Sequence, residues 1–115
     1  IFIQQRLNDG LLGGLWEFPG GKQEAEETLE ETVKREIKEE LGLSVAVGQH
    51  ITSVKHAYTH FKITLHAYQC QWLDPTETPQ PTAAQGYQWL ELNRLSEFAF
   101  PKANKKVLEA LLEQA

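Results

Sequence analysis

The run from Gly21 to Leu43, GKQEAEETLEETVKREIKEELGL, constrains this chain more than any other part of it. It reads G-x5-E-x7-R-E-I-x-E-E-x-G-L, with Gly21, Glu27, Arg35-Glu36-Ile37, Glu39-Glu40 and Gly42-Leu43 at the fixed positions. Thr28 and Glu31 form a capping box, which predicts a helix starting just after Glu27. Leu29, Val33, Ile37 and Leu41 recur every fourth residue and predict a buried stripe. Gly42 sits where a left-handed residue ends the helix. On that helix Glu36, Glu39 and Glu40 fall at i, i+3 and i+4. Their carboxylates then share one face and repel each other unless a cation sits among them. Hard oxygen ligands of this kind suit Mg²⁺ or Mn²⁺, which are commonly held by a few carboxylates plus substrate phosphates. Ahead of the helix, Pro19-Gly20-Gly21 lets backbone carbonyls approach an ion or phosphate closely. A bare glutamate run is most often a solvated face; the loop, the cap and the apolar stripe together set this one apart.

With every fixed position filled, the segment resembles the signature of the Nudix hydrolases, which cleave nucleoside diphosphates linked to another group. The resemblance implies an α/β Nudix fold, a mixed β-sheet sandwiched between α-helices. Because the chain begins Ile-Phe-Ile with no methionine, the N-terminal strand of that fold is expected to be missing. The implied chemistry is Mg²⁺-dependent cleavage of a nucleoside triphosphate between the α and β phosphates, with Mn²⁺ as a substitute ion. Carried onto this sequence, the metal ligands are Glu36, Glu39, Glu40 and the backbone carbonyl of Gly21. Arg35 orients the glutamates through charge-assisted hydrogen bonds, and Glu27 is an accessory group. Many relatives carry a further glutamate five or six residues before the strand tryptophan, and counting back from Trp89 gives Ala84 and Ala83. Glu77, earlier in the same loop, is the candidate substitute.

Outside this segment two further resemblances appear. Ile1-Phe2-Ile3 through Arg6, Leu15-Trp16-Glu17-Phe18-Pro19-Gly20-Gly21 and Phe100-Pro101-Lys102-Ala103-Asn104 resemble MutT-type 8-oxo-dGTP diphosphatases. In those enzymes the asparagine reads the oxidised guanine edge, which implies substrate-binding roles for Arg6, Phe18 and Asn104. An amide carries both donor and acceptor and can pair with a purine edge bidentately. The plainer readings are a helix-capping Asn104 and a solvated Arg6. His56-Ala57-Tyr58-Thr59-His60-Phe61 resembles the segment with which the C-terminal domain of MutY adenine glycosylases probes 8-oxoguanine in DNA, so Tyr58 and Thr59 are its counterparts here. Such domains generally lack the catalytic glutamates that this chain keeps. The expectation is conversion of 8-oxo-dGTP to 8-oxo-dGMP and pyrophosphate, with the lesion-reading domain of a glycosylase as the alternative and DNA as the partner only in that case.

The charge agrees. Residues 24–40 hold eight glutamates against Lys34, Arg35 and Lys38, which accounts for the whole net charge of −5. An acidic site on a neutral body draws divalent cations and repels duplex nucleic acid from that face. At 115 residues the chain is expected to form a single domain, residues 1–115, as a monomer or homodimer. No apolar run approaches the ~20 residues of a membrane span. A lone cysteine, Cys70, points to a reducing, cytoplasmic setting. His56, His60 and His66 with Cys70 are too scattered to suggest zinc. Strands are expected at Ile1–Arg6, Leu43–Val47, Ile51–Lys55, Phe61–Cys70 and Tyr87–Leu90, a loop at Asp74–Gly86, a helical turn at Leu92–Phe98 and a helix from Pro101 whose apolar residues are Val107, Leu108, Leu111 and Leu112. Trp16, Trp72 and Trp89 are expected in the core or a pocket wall.

Overall fold

Two helices enclose a layer of β-structure in the computed structural model, which describes residues 1–115. In chain order these are β1 (Phe2–Arg6), β2 (Trp16–Glu17), α1 (Leu29–Leu41), β3 (Val45–Ala57), β4 (Lys62–Trp72), β5 (Ala84–Trp89), a 3-10 turn (Leu92–Glu97) and α2 (Lys102–Gln114). The expected α/β/α layering is present. Within the layer every pairing is antiparallel, and the strands form two sheets, β2-β1-β5 and β3-β4, rather than one mixed sheet.

Strand alternation decides which side chains meet which helix. Phe2 points toward α1 and packs with Ile37, Leu41 and Leu43, joined by Val33, Val45 and Trp72. Ile3 points the other way, into a cluster with Leu90, Leu95 and Leu108 beneath Trp16, Phe18, Phe98 and Phe100. On the second sheet Val54 meets Ala103 and Val107 of α2, with Leu65, Ala67 and Leu111 alongside. No helix is long and apolar enough to cross a membrane.

Several local expectations need correction. The separate strands at Leu43–Val47 and Ile51–Lys55 are one strand, β3, whose register slips between Val47 and His50 and again between His50 and Thr52. Gly48 permits this, because a Cβ there would lie 3.1 Å from the Gln69 carbonyl oxygen. The loop after Asp74 ends sooner, since β5 already begins at Ala84. Before that, the amides of Gln80 and Thr82 donate to the carbonyls of Leu41 and Glu40, so this loop satisfies the C-terminal end of α1. Trp89 is not core: it is 46% exposed and stacks on Trp72, ring centroids 5.2 Å apart. On α1 the deep positions are Thr32, Ile37 and Leu41, while Leu29 and Val33 are only half-buried.

Candidate active site

The site is assembled on the C-terminal half of α1, from Arg35 to Glu40, and the loops beside it. The capping box forms as the sequence predicts: the Thr28 hydroxyl accepts from the Glu31 amide (3.1 Å) and the Glu31 carboxylate accepts from the Thr28 amide (2.9 Å). At the other end Gly42 adopts φ 73° and donates to the Lys38 carbonyl. Between these two stops the helix phase is fixed, and with it the face that carries the glutamates.

Arg35 is the hub of that face. Its Nε and Nη2 donate to the two oxygens of Glu27 (2.5 and 3.0 Å), a fork-to-fork pair. Nη1 donates to Glu36 (2.8 Å) and Glu39 (3.1 Å), and Nη2 also reaches the Lys22 carbonyl (3.0 Å). The guanidinium thus fastens the loop preceding the helix to two of the three helix carboxylates. Glu27 is held down to a pKa of about 2, first by the Arg35 hydrogen bonds and then by the Glu24 amide. Thr32, buried beside this pair, donates its hydroxyl to Glu27 (2.8 Å). The sequence reading passed over Thr32 because a threonine inside a polar helix face gives no signal of its own.

Glu40 stands apart from this network. Its Oε2 accepts from the Gly20 amide at 2.9 Å. Burial pushes its carboxyl up to about 7; the Gly20 amide opposes the rise, the charges of Glu36 and Glu17 add to it, and the Gln4 amide opposes it. A Cβ at Gly21 would fall on the Glu36 carboxyl group, so any larger residue there has to push this carboxylate aside.

Glu36, Glu39, Glu40 and the Gly21 backbone supply only hard oxygen donors, the set that Mg²⁺ or Mn²⁺ prefers. In the conformation observed Arg35 occupies Glu36 and Glu39 and the Gly20 amide occupies Glu40, so no three acidic, imidazole or thiolate groups converge at ligating geometry. The donor set fits a hard divalent cation: Arg35 and the Gly20 amide engage one oxygen of each carboxylate, which leaves the other oxygen of Glu36, Glu39 and Glu40 for such an ion.

The other expected site residues divide. Asn104, in the first turn of α2, does not cap its helix; its Oδ1 accepts from the Phe18 amide at 3.1 Å. Phe18 stacks on Phe100, centroids 5.4 Å apart. Arg6 is not free in solvent: Nη1 pairs with Glu17 Oε1 at 2.7 Å and Nε donates to the Leu11 carbonyl. Asn104 is thus joined to Phe18, and Arg6 to the neighbouring Glu17, in the segment that leads into the Gly20-Gly21 loop. Tyr58 is not part of that group; it packs between His56 and Phe61 at the tip of the β3-β4 hairpin. Glu77, the proposed stand-in at the Ala83 and Ala84 positions, is engaged elsewhere, accepting from the Ser44 amide (2.9 Å) and pairing with Lys38 (3.5 Å). Glu17 and Gln4 were missed; the signal was strand pairing, which sets them directly opposite each other.

A family model described as NUDIX domain matches residues 1–110. The chain belongs to this family. Among curated Nudix relatives, the 8-oxo-dGTP diphosphatase of Escherichia coli (strain K12) is 33% identical over 113 residues, covering 96% of this chain and 84% of that protein. The CTP pyrophosphohydrolase of the same organism is 31% identical over 112 residues, covering 97% and 82%. The adenine DNA glycosylase of Homo sapiens is 34% identical over 109 residues, 93% of this chain, but the Nudix segment spans only 20% of that protein. Of solved structures, the solution structure of the E. coli ORF135 protein superposes with a TM-score of 0.81 at 29% identity, covering 97% of this chain and 79% of that one.

Proposed function

We propose that this Nudix domain hydrolyses a nucleoside triphosphate to the monophosphate and pyrophosphate with a divalent ion, and that its substrate is 8-oxo-dGTP. The observation that carries the enzymatic reading is the complete carboxylate set on α1, gathered by Arg35 and closed by the Gly20-Gly21 loop. A module that only binds has no need of three acidic groups on one helix face. Bound at Glu36, Glu39, Glu40 and the Gly21 carbonyl, Mg²⁺ would neutralise phosphate charge and acidify a water. Arg35 holds Glu36 and Glu39 together through one guanidinium nitrogen.

The base preference rests on Asn104. A backbone N–H can only donate, so the Phe18 amide fixes which end of the Asn104 amide is the oxygen. Nδ2 is left as a donor, and Oδ1 keeps a second lone pair. A purine edge offering one acceptor and one N–H donor, as 8-oxoguanine does at O6 and N7, satisfies both. Ordinary guanine places a lone pair at N7 against Oδ1, and the mismatch is worth about 1–3 kcal/mol. The Phe18-Phe100 pair gives a base an aromatic neighbour. Similarity to 8-oxo-dGTP diphosphatases supports this choice, and similarity to a CTP pyrophosphohydrolase supplies the competitor substrate.

The test is pyrophosphate release from 8-oxo-dGTP, dGTP and CTP with Mg²⁺, for the wild type and Glu39→Gln. The expected result is preference for 8-oxo-dGTP and a loss of about 100-fold or more in the variant. Turnover by Glu39→Gln at the wild-type rate would remove Glu39 from the mechanism. A second reading, the 8-oxoguanine-recognition domain of an adenine DNA glycosylase, is favoured by the hairpin that presents Tyr58 and Thr59 and by the glycosylase similarity. It gains if no triphosphate is hydrolysed and duplex DNA containing 8-oxoguanine is bound in a Tyr58-dependent way.

A further inference from the structure

A buried amide sits between the two halves of this site. Gln4 lies at the centre of β1, paired with Glu17 of β2 on one side and Tyr87 of β5 on the other, and is 2% exposed. By strand alternation Phe2, Gln4 and Arg6 share the face that looks toward α1. Apolar Phe2 is explained by the core; a glutamine one step along is not, since a buried amide is unfavourable unless its groups are bonded. Gln4 meets that condition through the site. Its Nε2 donates to Glu17 Oε2 at 3.0 Å, and the other oxygen of the same carboxylate takes the Arg6 guanidinium at 2.7 Å. With both oxygens engaged, Glu17 cannot rotate without breaking a bond to one side or the other. Three residues on from Glu17, the Gly20 amide donates to Glu40 at 2.9 Å, so the segment that Gln4 anchors also reaches the carboxylate cluster.

We infer that Gln4 is a positioning residue: it locks Glu17, and through Glu17 the Arg6 guanidinium, in a fixed relation to the Glu40 arm of the carboxylate cluster. The inference deepens the nucleotide-hydrolase reading above and rests on it for its kinetic consequence. Arg6 is 38% exposed on a long flexible stem, so an unlocked Glu17 would let the ion pair drift and the guanidinium would meet an incoming nucleotide in many orientations. Glu17, if released, would also be free to turn its charge further toward Glu40. An arrangement of this kind separates two demands, keeping a cation available to an anionic substrate while preventing it from collapsing onto the metal-binding carboxylates.

The experiment uses Gln4→Met, which keeps the side chain's length and volume but cannot hydrogen-bond. Loss of one charge-assisted bond at the anchor is expected to raise KM for the nucleotide about tenfold while kcat changes little. A residue with only a structural role would lower thermal stability and leave that split untouched. The second readout needs no substrate or metal: the Nε–H resonance of Arg6, one of three arginines in the chain, should shift and broaden in Gln4→Met. Gln4→Met and Glu17→Gln should be non-additive, because both cut the same chain of bonds. If Gln4→Met does not fold, the side-chain amide resonance of Gln4 in Glu17→Ala decides; it should move and exchange faster with solvent. An unmoved Arg6 signal with unmoved KM in folded Gln4→Met, or an unmoved Gln4 amide in Glu17→Ala, would overturn the inference. If the wild type hydrolyses no nucleotide, the Arg6 and Gln4 resonances still test the lock, so its failure is distinguishable from failure of the enzymatic reading.

Discussion

Metal binding at the proposed α1 site should depend on pH through Glu40, in a range where most carboxylates are silent. Burial is the main reason its pKa lies at about 7 rather than 4.5, with the charges of Glu36 and Glu17 adding to the rise. A divalent ion binds only the carboxylate form, so affinity follows the ionised fraction. With a pKa of about 7, roughly a tenth of the sites are ionised at about pH 6 and roughly nine tenths at about pH 8. Mn²⁺ should therefore bind about tenfold more tightly at the higher pH, equivalent to about 1.4 kcal/mol. The assay is titration of free Mn²⁺ by electron paramagnetic resonance at constant ionic strength. Glu40→Gln should bind more weakly and lose the slope. The same group sets the sign for stability. Its folded pKa lies above the unfolded value of 4.5, so the metal-free protein is favoured below that value and loses this contribution as pH rises through about 7. Thermal melts without metal should fall across that window, and Mg²⁺ should restore them above it. Equal Mn²⁺ affinity at the two pH values in the wild type would refute the reasoning, because either Glu40 is not a ligand or its carboxyl is already ionised.

Three further perturbations probe separate parts of the site. Gly21→Ala drives a methyl group into the Glu36 carboxyl, so hydrolysis should fall by about 100-fold while circular dichroism stays native. Asn104→Ala should reduce discrimination between 8-oxo-dGTP and dGTP by about 10- to 100-fold, measured as the ratio of kcat/KM values, and should barely affect a pyrimidine triphosphate. Thr28→Ala removes half of the capping box and should cost about 1 kcal/mol in urea unfolding, with activity retained at saturating metal.

How much of this was legible in the sequence depends on how local each determinant is. Thr28, Glu31 and Gly42 fix α1 through contacts within one turn, so the face shared by Glu36, Glu39 and Glu40 follows from spacing alone. Arg35 is also readable, since a helix brings position 35 beside 39 and the preceding loop has little freedom to go elsewhere. The sheet side of the site obeys other rules. A strand gives each side chain a face but not a neighbour; the neighbour depends on register, and register is settled by segments far apart in the chain. Gln4 therefore read as a polar residue in an apolar strand, and Glu17 as a charge between Trp16 and Phe18. Only the pairing of β1 with β2 turns them into one anchor for Arg6.

The errors follow the same division. Glu77 was near enough in sequence to replace a missing carboxylate, but the loop that carries it is tied to Ser44 and Lys38 on another side of α1. Tyr58 matched a motif, yet the long β3-β4 hairpin carries it to its tip, where its ring neighbours are His56 and Phe61. Asn104 and Phe18 are 86 residues apart, and their contact has no local signal in the sequence. That contact makes the donor pattern of the Asn104 amide a consequence of folding. The Phe18 amide orients Asn104 only when the segment after β2 and α2 are packed together, so the proposed base reading should depend on the closure of the core beneath Phe18 and Phe100. Variants that loosen Leu95 or Leu108, in the core cluster away from α1, should then erode discrimination between bases before they abolish hydrolysis.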